Sequence, residues 1–100
     1  MKQKGVIEII SFEILDGFTE EQISFGLKQL ESFQCQYEAR HGMNIAKSED
    51  NITLVITYDS FDDEKNISAR MMKSSATNDF KKIVNPQTVN KVVYPHYVLD

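Results

Sequence analysis

The sequence is poor in the residues that announce a chemistry. Among 100 residues it has one cysteine, two histidines and no tryptophan. Cys35 alone can form neither an internal disulfide nor a thiolate metal framework, and a lone cysteine fits a reducing compartment. His41 and His96 are far apart, and no His/Cys/Asp cluster stands at ligand spacing, which argues against a zinc site and leaves metal: none as the expectation. Basic residues never run longer than Lys81-Lys82 and the net charge is -4, so a phosphate-binding surface for nucleic acid is not expected. There is no long apolar run and no small-residue cleavage site, so neither a membrane span nor a secretory leader is expected, and the chain reads as cytoplasmic. Without a leader, the acceptor patterns at Asn51 and Asn66 read as coincidence. Glycine-rich phosphate loops and Ser/His/Asp motifs are also missing.

What is present is a core. A hydrophobic content of 41% is enough for one domain over residues 1–100 and too little for two. The clearest element is Asn51–Ser60, NITLVITYDS. Its β-branched alternation reads as a strand with Ile52, Leu54, Ile56 and Tyr58 on one face and Thr53, Val55 and Thr57 on the other. Gly5–Leu15 reads as another strand, with Val6, Glu8, Ile10, Phe12 and Ile14 sharing a face and Ile7 and Ile9 opposite. Both look covered on both sides.

The connecting segments carry helix signals. After the Asp16-Gly17 turn, Thr19 and Gln22 have capping-box spacing and Phe18 can staple to Ile23. The stripe Ile23, Leu27, Leu30 and Tyr37 predicts a helix running to Arg40-His41-Gly42, with Gly26 allowing close approach to the strands and His41 serving the helix end. Phe25 points away from that stripe. Met43–Lys47 reads as a short strand joined to the Asn51 strand by a turn at Ser48-Glu49-Asp50. Ser60 and Asp63 then cap a helix from Asp62 to about Lys73, buried through Ile67 and Met71. Thr77 can cap a further short helix through Phe80 and Ile83, stopped by Asn85-Pro86. Val89–Leu99 is strand-like, but Pro95 confines it to a sheet edge or a bulge.

The order strand, helix, strand, strand, helix, strand predicts an α+β, ferredoxin-like split βαβ arrangement (βαββαβ) with a four-stranded antiparallel sheet and its helices on one face. The first strand and the Asn51 strand form its central pair. The open face, with Thr53, Val55 and Thr57, is too apolar to leave wet, so a homodimer is expected. An RNA-recognition role for this topology would need aromatic and basic side chains on those strands instead.

Several stretches together resemble the dimeric α+β barrel family related to antibiotic biosynthesis monooxygenases. They are Val6-Ile7-Glu8 leading to Phe12, the helix after Gly17, Tyr58-Asp59-Ser60, Phe80 with Ile83-Val84-Asn85-Pro86, and Thr88-Val89 followed by His96. Family members often carry tryptophan where this chain has Tyr58, and another near Ile52. The resemblance implies two sheets facing each other and a small-molecule cavity, between sheet and helices or within the barrel. Some relatives oxidise aromatic polyketides without metal or flavin, and others degrade haem.

For chemistry, an antiparallel pairing of the first and last strands can set His96 across from Glu8. The carboxylate would then orient the imidazole and favour its protonated form, as a general base or proton shuttle requires. A structural salt bridge would leave the same trace. Met71 and Met72 lie on opposite sides of the second helix, so one of them can line an apolar pocket or fill the core. Cys35 has no basic neighbour to activate it. Two readings stand. One is a cofactor-independent oxygenase, cofactor none, with Glu8 and His96 handling protons and Phe12, Tyr58 and Met71 shaping a pocket for a small apolar or aromatic ligand. The other is a non-catalytic dimeric ligand-binding or accessory protein. A pocket on which Glu8 and His96 converge favours the first; a filled core favours the second.

Overall fold

A computed structural model describes residues 1–100. The elements are β1 (Lys2–Glu13), α1 (Glu20–Gln34), β2 (Arg40–Ser48), β3 (Asn51–Tyr58), α2 (Phe61–Lys73), α3 (Asn78–Ile83) and β4 (Asn90–Val98). Single 3-10 turns at Ser75–Thr77 and Pro86–Thr88 flank α3. The four strands form one antiparallel sheet in the order β2-β3-β1-β4, so the chain has the ferredoxin-like βαββαβ arrangement with β1 and β3 central.

Strand register sorts the side chains into two faces. On the helix face, Val93, Glu8, Ile56 and Met43 lie in one row across the sheet, and Lys91, Ile10, Leu54 and Ile45 in the next. Val6, Phe12, Ile52, Leu54, Ile56 and Tyr58 are buried there beneath Leu27, Leu30, Ile67, Phe80 and Ile83 of the helices. The burial of a dozen apolar side chains on one side of the sheet supplies the main stabilisation of the fold. The opposite rows run Tyr94, Ile7, Thr57, Gly42 and Val92, Ile9, Val55, Asn44. No element of this chain covers that face, and Tyr94 is 52% exposed.

Local chemistry explains most element ends. Thr19 and Gln22 form the reciprocal capping box of α1, with Gln22 N–H donating to Thr19 Oγ1 (3.2 Å) and Thr19 N–H to Gln22 Oε1 (2.9 Å). Ser60 Oγ accepts from Asp63 N–H at 3.1 Å and starts α2 one residue earlier than its pattern suggests. Pro95 lies on β4, an edge strand, next to a register break between Gln3 and Val6.

Three expectations are corrected. Helix α1 stops at Gln34, and Arg40-His41-Gly42 begins β2 rather than capping a helix. Sheet hydrogen bonding to β3 outweighs the local helical pattern there. Arg40 still serves the helix end, but from the strand: its guanidinium meets Glu31 Oε1 at 2.6 Å and donates to the Glu31 carbonyl at 3.3 Å. Gly26 admits α3, not the strands, since a Cβ there would lie 3.0 Å from Ile83 Cδ1 and 3.2 Å from the Asp79 carbonyl oxygen. Thr77 does not cap α3; its hydroxyl donates back to the Met71 and Ser74 carbonyls. No helix is long and apolar enough to cross a membrane.

Candidate functional site

Between the helix face of the sheet and the helices lies a cavity of about 200 Å³. Its walls are mostly apolar, with Ile10, Leu30, Leu54, Ile56, Met71 and Phe80 among them. Glu8, Gln34, Ser68 and Lys91 supply its polar groups. A carboxyl in such surroundings must be paired or neutral, because burying a charge is costly.

Glu8 is that carboxyl. It projects from the middle of a central strand because its even-numbered neighbours Val6, Ile10 and Phe12 face the core, and it is only 4% exposed. Burial pushes its pKa up from 4.5 to about 8, and a hydrogen bond with Glu64 adds to the effect. Burial alone would raise Glu64 as well. Its hydrogen bonds with Glu8, Lys91 and Ser68 outweigh that and hold it below its ordinary value. Lys91 Nζ ion-pairs with Glu64 Oε2, and Ser68 Oγ donates to the same oxygen at 2.9 Å. At neutral pH the pair therefore holds one proton, on Glu8, with the charge on Glu64. Lys91 is one-third exposed and carries the network to solvent.

A second polar strand of this network begins at Tyr58, whose hydroxyl accepts from Gln34 Nε2 at 3.3 Å and also hydrogen-bonds Glu8. Burial, with the nearby Glu8 and Glu64 carboxyls, pushes the Tyr58 pKa well above that of a free phenol, so it stays neutral. Two buried acceptors are left over: Glu8 Oε1 and Gln34 Oε1 have no hydrogen-bond partner. Both residues line the cavity. Orphaned buried acceptors cost stability unless something donates to them, so the cavity suits a guest that carries hydrogen-bond donors.

The expected Glu8–His96 pair does not form. Glu8 lies opposite Val93, three positions before His96, and an odd offset reverses the face. His96 instead lines a cleft on the open face with Lys4, His41, Thr57 and Asp59. His41 is likewise a strand residue there, hydrogen-bonded through Nε2 to Asp59 Oδ1. Met71 lines the cavity, and Met72, 62% exposed, touches its mouth from the same helix. Phe12 stands behind the wall, edge-on to Phe80 with ring centroids 5.8 Å apart. Tyr58 does not line the cavity; its hydroxyl meets Gln34 and Glu8, which do.

Sequence reasoning missed Glu64, Lys91 and Gln34. Glu64 was within reach, since it precedes Ile67 by three and Met71 by seven and so shares their buried helix stripe. Lys91 follows from the register alone, and Gln34 from the point where α1 stops. A wider groove of about 430 Å³ runs between α1 and β2, past Ile23, Leu27, Met43 and Ile45, but it contains no buried polar group with which to do chemistry.

No protein-family model and no curated protein matches the chain. Solved structures do match its fold. SnoaB from Streptomyces nogalater, described as a cofactor-independent oxygenase, superposes with a TM-score of 0.75 at 7% identity over 94% of each chain. A candidate antibiotic biosynthesis monooxygenase from Bordetella bronchiseptica gives 0.67 at 18% identity, covering 94% of this chain and 99% of its own. A dimeric ferredoxin-like protein of unknown function from Thermobifida fusca gives 0.68 at 13% identity over 96% of each. The chain thus shares the fold of antibiotic biosynthesis monooxygenase-like proteins, and of ferredoxin-like proteins of unknown function that are described as dimeric.

Proposed function

We propose that this chain is a cytoplasmic homodimer, its open sheet faces packed together into an α+β barrel. Each subunit binds a small, mainly apolar or aromatic molecule beside Glu8. The observation that carries the reading is the buried, protonated Glu8 carboxyl with an unpartnered oxygen at an apolar cavity. A cavity on the order of 150 Å³ accepts one benzene ring, so about 200 Å³ fits a single substituted ring, and the free acceptors on Glu8 and Gln34 fit a ring bearing hydroxyl groups. The dimer is supported by the bare apolar rows around Ile7 and Ile9, and by the dimeric description of fold relatives.

In the catalytic form of this reading, the chain is a monooxygenase-like oxidoreductase whose own residues handle protons. A hydroxyl of the guest gives its proton to Glu8 Oε1 while the proton already on Glu8 passes to Glu64. Lys91 and Ser68 stabilise Glu64 in its ionised form, ready to receive it. The fold likeness to a cofactor-independent oxygenase supports this form. A non-catalytic ligand-binding or accessory role is favoured by a different observation: Glu8 and His96 lie on opposite sides of the sheet, which leaves Glu8 without an imidazole to work with.

Native mass spectrometry of the purified protein tests the reading, followed by titration with phenol as probe. The expected result is a dimer that carries or takes up one small aromatic molecule per subunit, with uptake weakened in Glu8→Leu. An empty protein in which phenol produces no saturable signal would overturn it. If a copurified compound is found, turnover lost in Glu8→Gln with binding kept selects the catalytic form.

A further inference from the structure

The sheet has two register breaks, and both fall at the same end. One lies between Gln3 and Val6 where β1 meets β4, and the other between Arg40 and Gly42 where β2 meets β3. Bulges re-aim side chains that would otherwise alternate in and out of a sheet. The residues released here are Lys4 and His41, and together with Thr57, Asp59 and His96 they line a cleft of about 560 Å³ on the open face. Gly5 makes the first break possible: it sits at φ +84°, and a Cβ on it would fall 2.2 Å from the Tyr58 carbonyl oxygen.

The polar groups of this cleft are only partly engaged with one another. Asp59 is its one acid, and His41 Nε2 is hydrogen-bonded to it. Lys4 and His96 form no ion pair and no side-chain hydrogen bond. The Lys4 ammonium and the His96 ring therefore stand unpartnered beside the free Thr57 hydroxyl. We propose that the cleft binds a small oxyanion, a carboxylate or a phosphate group, held by the Lys4 ammonium, the His96 imidazole and the Thr57 hydroxyl. The His41–Asp59 pair forms its wall. Ammonium and imidazole donors to an anionic oxygen make the strong class of hydrogen bond. This inference is independent of the Glu8 cavity, which is on the other side of the sheet.

The test is nuclear magnetic resonance of the histidine rings during separate titrations with inorganic phosphate and with benzoate, chloride holding the ionic strength constant. Saturable shifts of His96 and His41 are expected with at least one probe, and the probe that saturates tells phosphate from carboxylate recognition. Binding should weaken about tenfold or more in Lys4→Ala, recover in Lys4→Arg, and stay unchanged in Lys82→Ala, a lysine far from the cleft. His96→Gln gives a second, independent loss. Shifts that never saturate, or that are as large in Lys4→Ala as in the parent chain, overturn the proposal. So does a Lys4→Ala variant whose dimer dissociates more readily while anion binding is intact, because the cleft would then serve a carboxylate of the second copy.

Discussion

The two faces of the sheet carry charge-bearing groups on the same strands and treat them in opposite ways. On the helix face, Glu8 is surrounded by apolar side chains and keeps its proton to about pH 8, while Glu64 beside it is held below its ordinary value by hydrogen bonds with Glu8, Lys91 and Ser68 that outweigh its burial. On the open face, Lys4, His41 and His96 line a cleft that no helix covers. What differs is the layer laid over the strands. Where helices exclude water, a polar group must find a partner or change its protonation state; where nothing covers the sheet, it waits for a solute or a second molecule.

Gly5 joins the two regions, and changing it should have the largest effect. Gly5→Ala forces a side chain to within 2.2 Å of a backbone oxygen at a positive φ, so destabilisation of about 3 kcal/mol or more is expected in denaturant melts. The loss should appear together with collapse of the histidine-lined cleft. A variant as stable as the parent would show that the bulge is not under this constraint.

Next in size is the pH response of the buried acid. The folded-state pKa of Glu8 is raised, so the stability it confers is fully present below its ordinary 4.5 and is lost as pH rises through about 8. Across that window the slope is at most about 1.4 kcal/mol per pH unit. Glu64 has the opposite sign: its contribution is present above the ordinary carboxylate value and disappears as pH falls through its lowered folded value. Glu8→Gln should therefore remove the fall in stability between pH 4.5 and about 8 and leave the loss at lower pH standing. An unchanged slope across that window would mean that Glu8 is ionised in the fold.

Removing the cation that holds Glu64 is a smaller step. Lys91→Ala should cost about 1–3 kcal/mol at neutral pH, the range for a hydrogen bond to a charged group left unpaired, and it should cost less in acid, where Glu64 can protonate. Equal losses at both pH values would break the proposed division of one proton between the two carboxyls. Smallest for the fold itself is Ile9→Ser on the bare face, about 0.5 kcal/mol or less by the standard of exposed positions. Its effect should be on association, with light scattering reporting monomer where the parent is dimeric. A parent chain already monomeric at high concentration would remove the barrel, while the Glu8 site in each subunit would stand.

Much of this molecule could be read directly. The alternation of Asn51–Tyr58, the capping box at Thr19 and the Ser60 cap are short-range patterns, and short-range physics settled them. Glu8 could be placed on the core face of its strand for the same reason. The end of α1 could not, because Arg40–Gly42 carries a plausible helix stop that is overruled by hydrogen bonds to a strand more than a dozen residues away. His96 was expected opposite Glu8, but the ladder sets Val93 there, and a sequence pattern does not show which residues of two strands come to lie opposite each other.

The amino-acid order by itself determined the succession of strands and helices, though not every end of them, which faces are apolar, and that Glu8 shares the apolar face of its strand. Only the tertiary structure decided what that carboxyl meets. Local periodicity is set by bonds within a few residues, whereas Glu64, Lys91, Gln34 and Tyr58 reach Glu8 from four other elements. Their convergence depends on register, helix length and packing, and these are fixed by the whole chain at once.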